Sequence, residues 1–187
     1  MDNKKIAKYA LSFIGGTPEV IGYLNEDGTK NIDIMICSNG YIPDNVVYST
    51  VGLADTNIGK ISENKALRTE IIILGTEDER FADIISSIAF VIQDLEDCGH
   101  GMVINNVVST YIENTELQHV ILLHPVFWDR YNPLETENEI AAWLMAVPVT
   151  EAERQYIRAN SIEDFEELLE KNNVDISDLY RVSCIDK

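Results

Sequence analysis

Cys98-Gly-His100 is the one place in the chain where a thiol and an imidazole lie within two residues of each other. Zinc needs about four ligands, and no second Cys or His pair stands at ligand spacing. Nothing nearby in the sequence activates the thiol. The triplet therefore reads as a helix end: a small buried cysteine, a capping glycine and a polar residue. His119 and His124 sit in or beside an apolar strand, five residues apart. That odd spacing sends them to opposite faces, so they do not converge on one ligand. His124 precedes Pro125 and reads as a strand-end residue held extended by the proline. A glycosidase pair or a metal cluster needs two or three carboxylates pointing inward, whereas the acids here cluster on solvent faces. Gly15-Gly16 ends a helix instead of opening one and no lysine-serine pair follows, so there is no phosphate loop. Ser49, Thr50 and Gly52 lack nucleophile-elbow spacing. The pattern assigns no catalytic, cofactor-binding or metal-ligating residue and predicts a protein that is not an enzyme.

Binding chemistry is better represented. Asp94, Glu96 and Asp97 crowd the end of a predicted middle helix, where the macrodipole disfavours negative charge by a few tenths of a kcal/mol each. Glu163, Asp164, Glu166, Glu167 and Glu170 occupy the outer face of a predicted last helix. A solvated, solubilising face is the plain reading; a docking surface for a basic protein is the functional one. The rule broken at Asp94 to Asp97 without evident compensation favours the second. Trp143 falls inside an apolar strand and belongs to the core. Trp128 stands between a strand end and the polar Asp129-Arg-Tyr-Asn-Pro133 loop and is the better surface candidate of the two; were the acids only a solubility coat, the interface would be sought around Trp128, Arg130 and Tyr131.

These residues must be held by a frame that the periodicity outlines. Ile6, Tyr9, Ala10, Phe13 and Ile14 recur at helical spacing until Gly15, Gly16 and Pro18 stop the helix. Strands are predicted over Val20 to Leu24 and Asn31 to Cys37, around the turn Asn25-Glu-Asp-Gly28. Val46 to Leu53 and Leu67 to Leu74 read as two more, with a polar loop, Ala54 to Lys65, between them. Thr76-Glu-Asp-Glu79 has capping-box form and introduces a helix burying Phe81, Ile84, Ile85, Ile88, Ile92 and Leu95, ended by Gly99. Met102 to Val108, Leu117 to Leu123 and Glu139 to Val147 are the remaining strands. The last two are apolar on both faces and so belong mid-sheet under helices. Thr150-Glu-Ala-Glu153 caps a short helix. Ser161-Ile-Glu-Asp164, a weaker box, opens a final one that buries Ile162, Phe165, Leu168 and Leu169. No repeat or linker interrupts this order, which predicts one α+β domain over residues 1–187.

Bulk properties narrow the partner. With 14 basic and 32 acidic side chains the formal charge is -18. Such a surface repels nucleic acid and anionic lipid and attracts basic proteins. Cys37, Cys98 and Cys184 are far apart and odd in number, which predicts a reducing compartment. The N-terminal Met-Asp-Asn-Lys-Lys lacks a signal-peptide h-region, and no run approaches the ~20 apolar residues of a membrane span. A cytoplasmic, soluble protein is expected.

The run Leu122-Leu-His-Pro-Val-Phe-Trp128, then Trp143 with Val147-Pro-Val-Thr-Glu-Ala-Glu153, resembles the suppressor-of-fused (SUFU) domain family. Ser161 to Leu169 and Asp175-Ile-Ser-Asp-Leu-Tyr-Arg181 continue the likeness, and Tyr48-Ser-Thr-Val-Gly-Leu-Ala-Asp55 resembles the strand and turn that precede the family's middle helix. The resemblance spans roughly residues 32–181. It implies a mixed, mainly antiparallel sheet flanked by helices that works by binding protein, with no catalytic residues and no cofactor to transfer. The chain lacks the further C-terminal region of the eukaryotic signalling member, so transcription-factor binding does not carry over. Short bacterial members, often encoded beside secreted polymorphic toxins, imply an immunity protein or antitoxin. The expected partner is a cognate toxin, with a basic nuclease domain foremost because nucleases must hold phosphate. A regulatory interaction domain without a toxin partner, and a hydrolase using His124, His100 or Cys98, are the competing readings.

Overall fold

The computed structural model describes residues 1–128 and 131–185. Arg130, one of the expected anchors, lies outside them. The first helix, α1 (Asn3–Ile14), buries Ile6, Ala10, Phe13 and Ile14, and the Asp2 carboxylate accepts the Lys4 amide at 3.0 Å. Gly15 and Gly16 follow at φ 76 and φ 83, backbone that glycine alone adopts without strain. A Cβ on Gly16 would lie 2.2 Å from the Ser38 carbonyl oxygen, which closes that position to any side chain.

Strands β1 (Thr17–Leu24) and β2 (Asn31–Ser38) form the expected hairpin, and β3 (Val46–Val51) adds to it. A 3₁₀ turn (Leu53–Asp55) and β4 (Ile61–Ser62) occupy the stretch expected to be loop, and lead into β5 (Lys65–Gly75). Helix α2 (Arg80–Leu95) precedes β6 (Val103–Ile104), β7 (Leu117–Leu123), β8 (Leu134–Glu135) and β9 (Glu139–Thr150). Helices α3 (Glu151–Ala159) and α4 (Ile162–Lys171) follow directly. The strands make one sheet in the order β1-β2-β3-β5-β9-β7-β6, with β4 on β5 and β8 on β9. Only β5 and β9 run parallel; the other described pairs are antiparallel, so the α+β, mainly antiparallel expectation holds.

Both faces of this sheet are covered, which is why β5, β7 and β9 read as nearly unbroken apolar runs. Ile71 and Ile73 point to the face under α2, with Val120, Leu122, Leu144 and Ala146. Ile72 and Leu74 point to the other face, where α1, α3 and α4 contribute Phe13, Ile157 and Phe165. Among the described residues no helix is long and apolar enough to cross a membrane.

Local signals fail in three places. Thr76 does not cap α2; the Asp78 carboxylate, nearer the helix, takes the Arg80 amide at 3.0 Å and its guanidinium at 2.9 Å. The helix ends at Leu95, not at Gly99, because Glu96 itself turns left-handed at φ 50, and Leu95 is left 58% exposed. The strand expected over Met102 to Val108 shrinks to Val103–Ile104, since Asn106 sits at φ 60 and gives its amide to His119 Nδ1 at 2.9 Å. Ser161, by contrast, forms a full capping box with Asp164.

Two buried carboxylates fix the connections. Glu70, wholly buried in β5, accepts the Gly52 and Ala54 amides at 3.0 and 3.1 Å and the Thr50 hydroxyl, which holds the turn after β3. Burial pushes its carboxyl up to about 7, against the lowering effect of those donors. Glu153 closes the capping box of α3 and also meets Arg181, Nη1 to Oε1 at 2.7 Å and Nη2 to Oε2 at 3.0 Å. Arg181 Nη2 donates further to the Pro148 carbonyl at 2.7 Å, and the Cys184 amide donates to Glu153 Oε1 at 2.9 Å. The C-terminal segment is thereby bolted to the end of β9.

Two measurements check these assignments. The raised Glu70 pKa contributes stability that is complete below the unfolded value near 4.5 and is lost as pH rises through about 7. Glu70→Gln keeps an acceptor for both amides and donates to Thr50, so it should remove that loss, on the order of 3 kcal/mol, from urea midpoints compared at about pH 5 and about pH 8. An unchanged pH dependence would show that Glu70 titrates normally. Arg181→Met strands a buried charge and should cost about 3–5 kcal/mol, with much of it recovered by adding Glu153→Gln. Equal costs for the single and double variants would mean that the pair carries no coupling.

Candidate interaction site

Cys98 and His119 are engaged inside the protein, whereas His100 and His124 lie nearer the surface. Cys98 is 2% exposed, its thiol is pushed up to about 11 by burial, and Thr69 Oγ1 lies 3.9 Å away. A thiol held neutral is a poor nucleophile. His119 is buried too: Nδ1 accepts the Asn106 amide at 2.9 Å, so Nε2 carries the proton toward Glu151 Oε2 at 2.9 Å. His119 and His124 do not meet. His124 instead stacks on His100, with centroids 4.3 Å apart and rings 11° from parallel, a contact that spacing along the chain does not reveal. Burial, then the neighbouring His100, lowers the His124 pKa. His100 Nε2 lies 3.1 Å from Glu166 Oε1 on α4. Among the described residues no group of three or more His, Cys, Asp or Glu is placed to hold a metal ion.

The two acidic clusters differ in what faces them. Asp94 pairs with Lys30, and Asp97 with Lys60 at 2.7 Å. Side-chain hydrogen bonding from Lys60 lowers the Asp97 pKa. These lysines compensate Asp94 and Asp97 in a way the sequence did not display, while Glu96 has no ion pair among the described residues. On α4, Glu166 has only the imidazole. Among the described residues no Lys or Arg pairs with Glu163, Glu166, Glu167 or Glu170.

Those four glutamates border a groove of about 680 Å³. Its apolar lining comes from Leu123 at the end of β7, from Met145 and Val147 of β9, and from Leu169, Val174 and Ile176. The turn after β7 supplies Val126 and Phe127, which are 69% and 48% exposed. His124 also lines it, so the stacked imidazole pair links the turn to α4 through Glu166. The sequence spreads these residues over several elements; the packing of α4 on this face of the sheet and the bolted C-terminal segment bring them together.

The aromatic anchors lie elsewhere. Trp128, expected at the surface, is 5% exposed and meets Phe13 of α1 edge-on at 6.0 Å. Phe127, one residue earlier, takes the exposed position. The Tyr131 hydroxyl accepts the Trp143 amide at 2.7 Å, and burial pushes its pKa up to about 12. Trp143 is core, as expected, and its indole N–H donates to Ser49 Oγ at 3.3 Å.

Comparison with known proteins places this arrangement. Residues 28–182 match the family described as Suppressor of fused protein (SUFU). Immunity protein YqcF of Bacillus subtilis strain 168 is 32% identical over 187 residues, covering 98% of this chain and 97% of that one. The crystal structure of a SUFU homolog from Neisseria gonorrhoeae superposes with a TM-score of 0.74 at 15% identity, over 99% of this chain and 97% of the other. A chain of the Sufu–Fu complex gives a TM-score of 0.70 at 11% identity, over 97% and 91% of the two chains.

Proposed function

Because this chain belongs to the suppressor-of-fused family, we propose that it is a bacterial immunity protein that binds and neutralises a cognate toxin. The observation that carries the reading is its 32% identity to an immunity protein across nearly the whole of both chains. It acts by binding and not by catalysis: the thiol is buried and neutral, and His119 is committed at both ring nitrogens.

The toxin is a nuclease domain, acting in the cytoplasm where residues 1–187 fold as one unit. A nuclease must hold phosphate and therefore presents a basic surface. A chain of formal charge -18 is drawn to such a surface from a distance and repelled by the nucleic acid itself. The glutamates of α4 that have no cation partner are where that attraction meets an apolar groove.

The toxin domain encoded beside this gene, expressed in a bacterial host alone, should arrest growth and degrade nucleic acid. Co-expression of the chain should restore growth, and the two proteins should co-elute with nuclease activity blocked at equimolar ratio. Growth arrest that persists, with no co-elution, would defeat the immunity reading. Protection from a toxin that leaves DNA and RNA intact would defeat the nuclease assignment alone.

A further inference from the structure

We propose that the groove beside α4 receives a cationic amphipathic segment of the partner. Apolar side chains of that segment seat against Phe127, Val126 and Val174, and its Lys or Arg side chains reach the α4 glutamates. The proposal rests on the immunity-protein reading for the identity of the partner, and on the groove itself for the chemistry.

Three observations set the occupant. The lining is apolar at its base, and Val126 and Phe127 stand open to solvent although they adjoin a closed core. An exposed Phe and Val side by side at a groove mouth are the kind of anchor that interfaces bury. The groove has no Lys or Arg in its lining, while Glu163, Glu166, Glu167 and Glu170 edge it. Their spacing of three, four and seven residues puts all four on one helix face, a carboxylate line about 10 Å long. A second copy of this chain would bring more negative charge to that line, and an acidic or neutral segment would leave it unpaired. Cations spaced over the same length satisfy it. Asp94 and Asp97 offer no equal site, since a partner would have to displace Lys30 and Lys60.

The apolar and acidic parts should have separable kinetic signatures with the neighbouring toxin domain. Val126→Ser with Phe127→Ser should weaken binding about tenfold or more, mainly through faster dissociation. Changing Glu163, Glu166, Glu167 and Glu170 to Gln should slow association about tenfold at low salt and flatten its salt dependence. Asp94→Asn with Asp97→Asn should stay within about twofold. All of these side chains except Glu166 are exposed, so melting temperatures should hold. Groove variants that bind a tightly held toxin as well as the parent does would overturn the proposal while leaving the immunity reading intact. If the parent binds no toxin domain, that reading fails, and a synthetic peptide of Leu and Lys at helical spacing decides the groove. Amide shifts at Val126, Phe127, Leu169 and Val174 that vanish in Phe127→Ser support it. Shifts spread evenly over the acidic surface, and unchanged in that variant, overturn it.

Discussion

The contact between Glu153 and Arg181 carries more of this structure than its two residues would imply. One carboxylate closes the capping box of α3, holds the guanidinium through both oxygens and accepts the Cys184 amide. The guanidinium in turn reaches the Pro148 carbonyl in β9. A buried ion pair of this kind contributes little net stability, because desolvating both charges offsets most of their attraction. What it supplies is position. The chain after α4 is seated by the buried Ile176 and Leu179, and the pair fixes it further at the end of β9. Val174 and Ile176, a few residues earlier, line the groove. Burial raises the Glu153 pKa, but Arg181 and the amide donors outweigh it, and the net shift is downward. Its stabilising effect is therefore present above the unfolded glutamate value near 4.5 and fades as pH falls through the lower folded value.

The same logic explains how a chain with so much negative charge stays folded. Self-repulsion destabilises a compact state when charges of one sign crowd together. Here the acids nearest the core are each answered: Glu70 by two amides and a hydroxyl, Glu139 by Arg68 at 2.9 Å, Glu151 by Arg154 at 2.7 Å. The lysines at positions 30 and 60 answer the end of α2. Cations are scarce, and those that pair do so where acids meet helix ends and strand ends. Many acids have no cation partner among the described residues, and of these Glu163, Glu167 and Glu170 border the groove beside α4.

Legibility in the sequence followed how local the cause was. Helix α1, the hairpin, the buried strands β7 and β9 and the boxes at Thr150 and Ser161 each depend on residues within a few positions, and all were readable. Glu96 turning left-handed in place of Gly99 was not, and the lysines that hold the neighbouring acids come from the β1–β2 turn and the loop before β4, far along the chain. Trp128 looked exposed from its polar neighbours; its burial depends on Phe13, more than a hundred positions away. The last-helix glutamates were identified as candidates from spacing alone. The groove they border was invisible, since its base is drawn from β7, β9 and the segment after α4.

The likeness to the Neisseria gonorrhoeae homolog, with a TM-score of 0.74 at 15% identity, shows how little of the side-chain detail this fold demands. What must persist is alternation: Ile71 and Ile73 to one face, Ile72 and Leu74 to the other, so that both helical layers find an apolar sheet. Val126 and Phe127 lie outside that requirement, in a turn where the sheet has already ended, and the α4 glutamates face away from Phe165, the residue that docks their helix. Changing them costs the core almost nothing. A protein that must match one partner and ignore others gains most from a surface of this kind, free to vary on a frame that is not. The turn after β7 and the outer face of α4 are therefore where specificity for a partner can reside without endangering the fold.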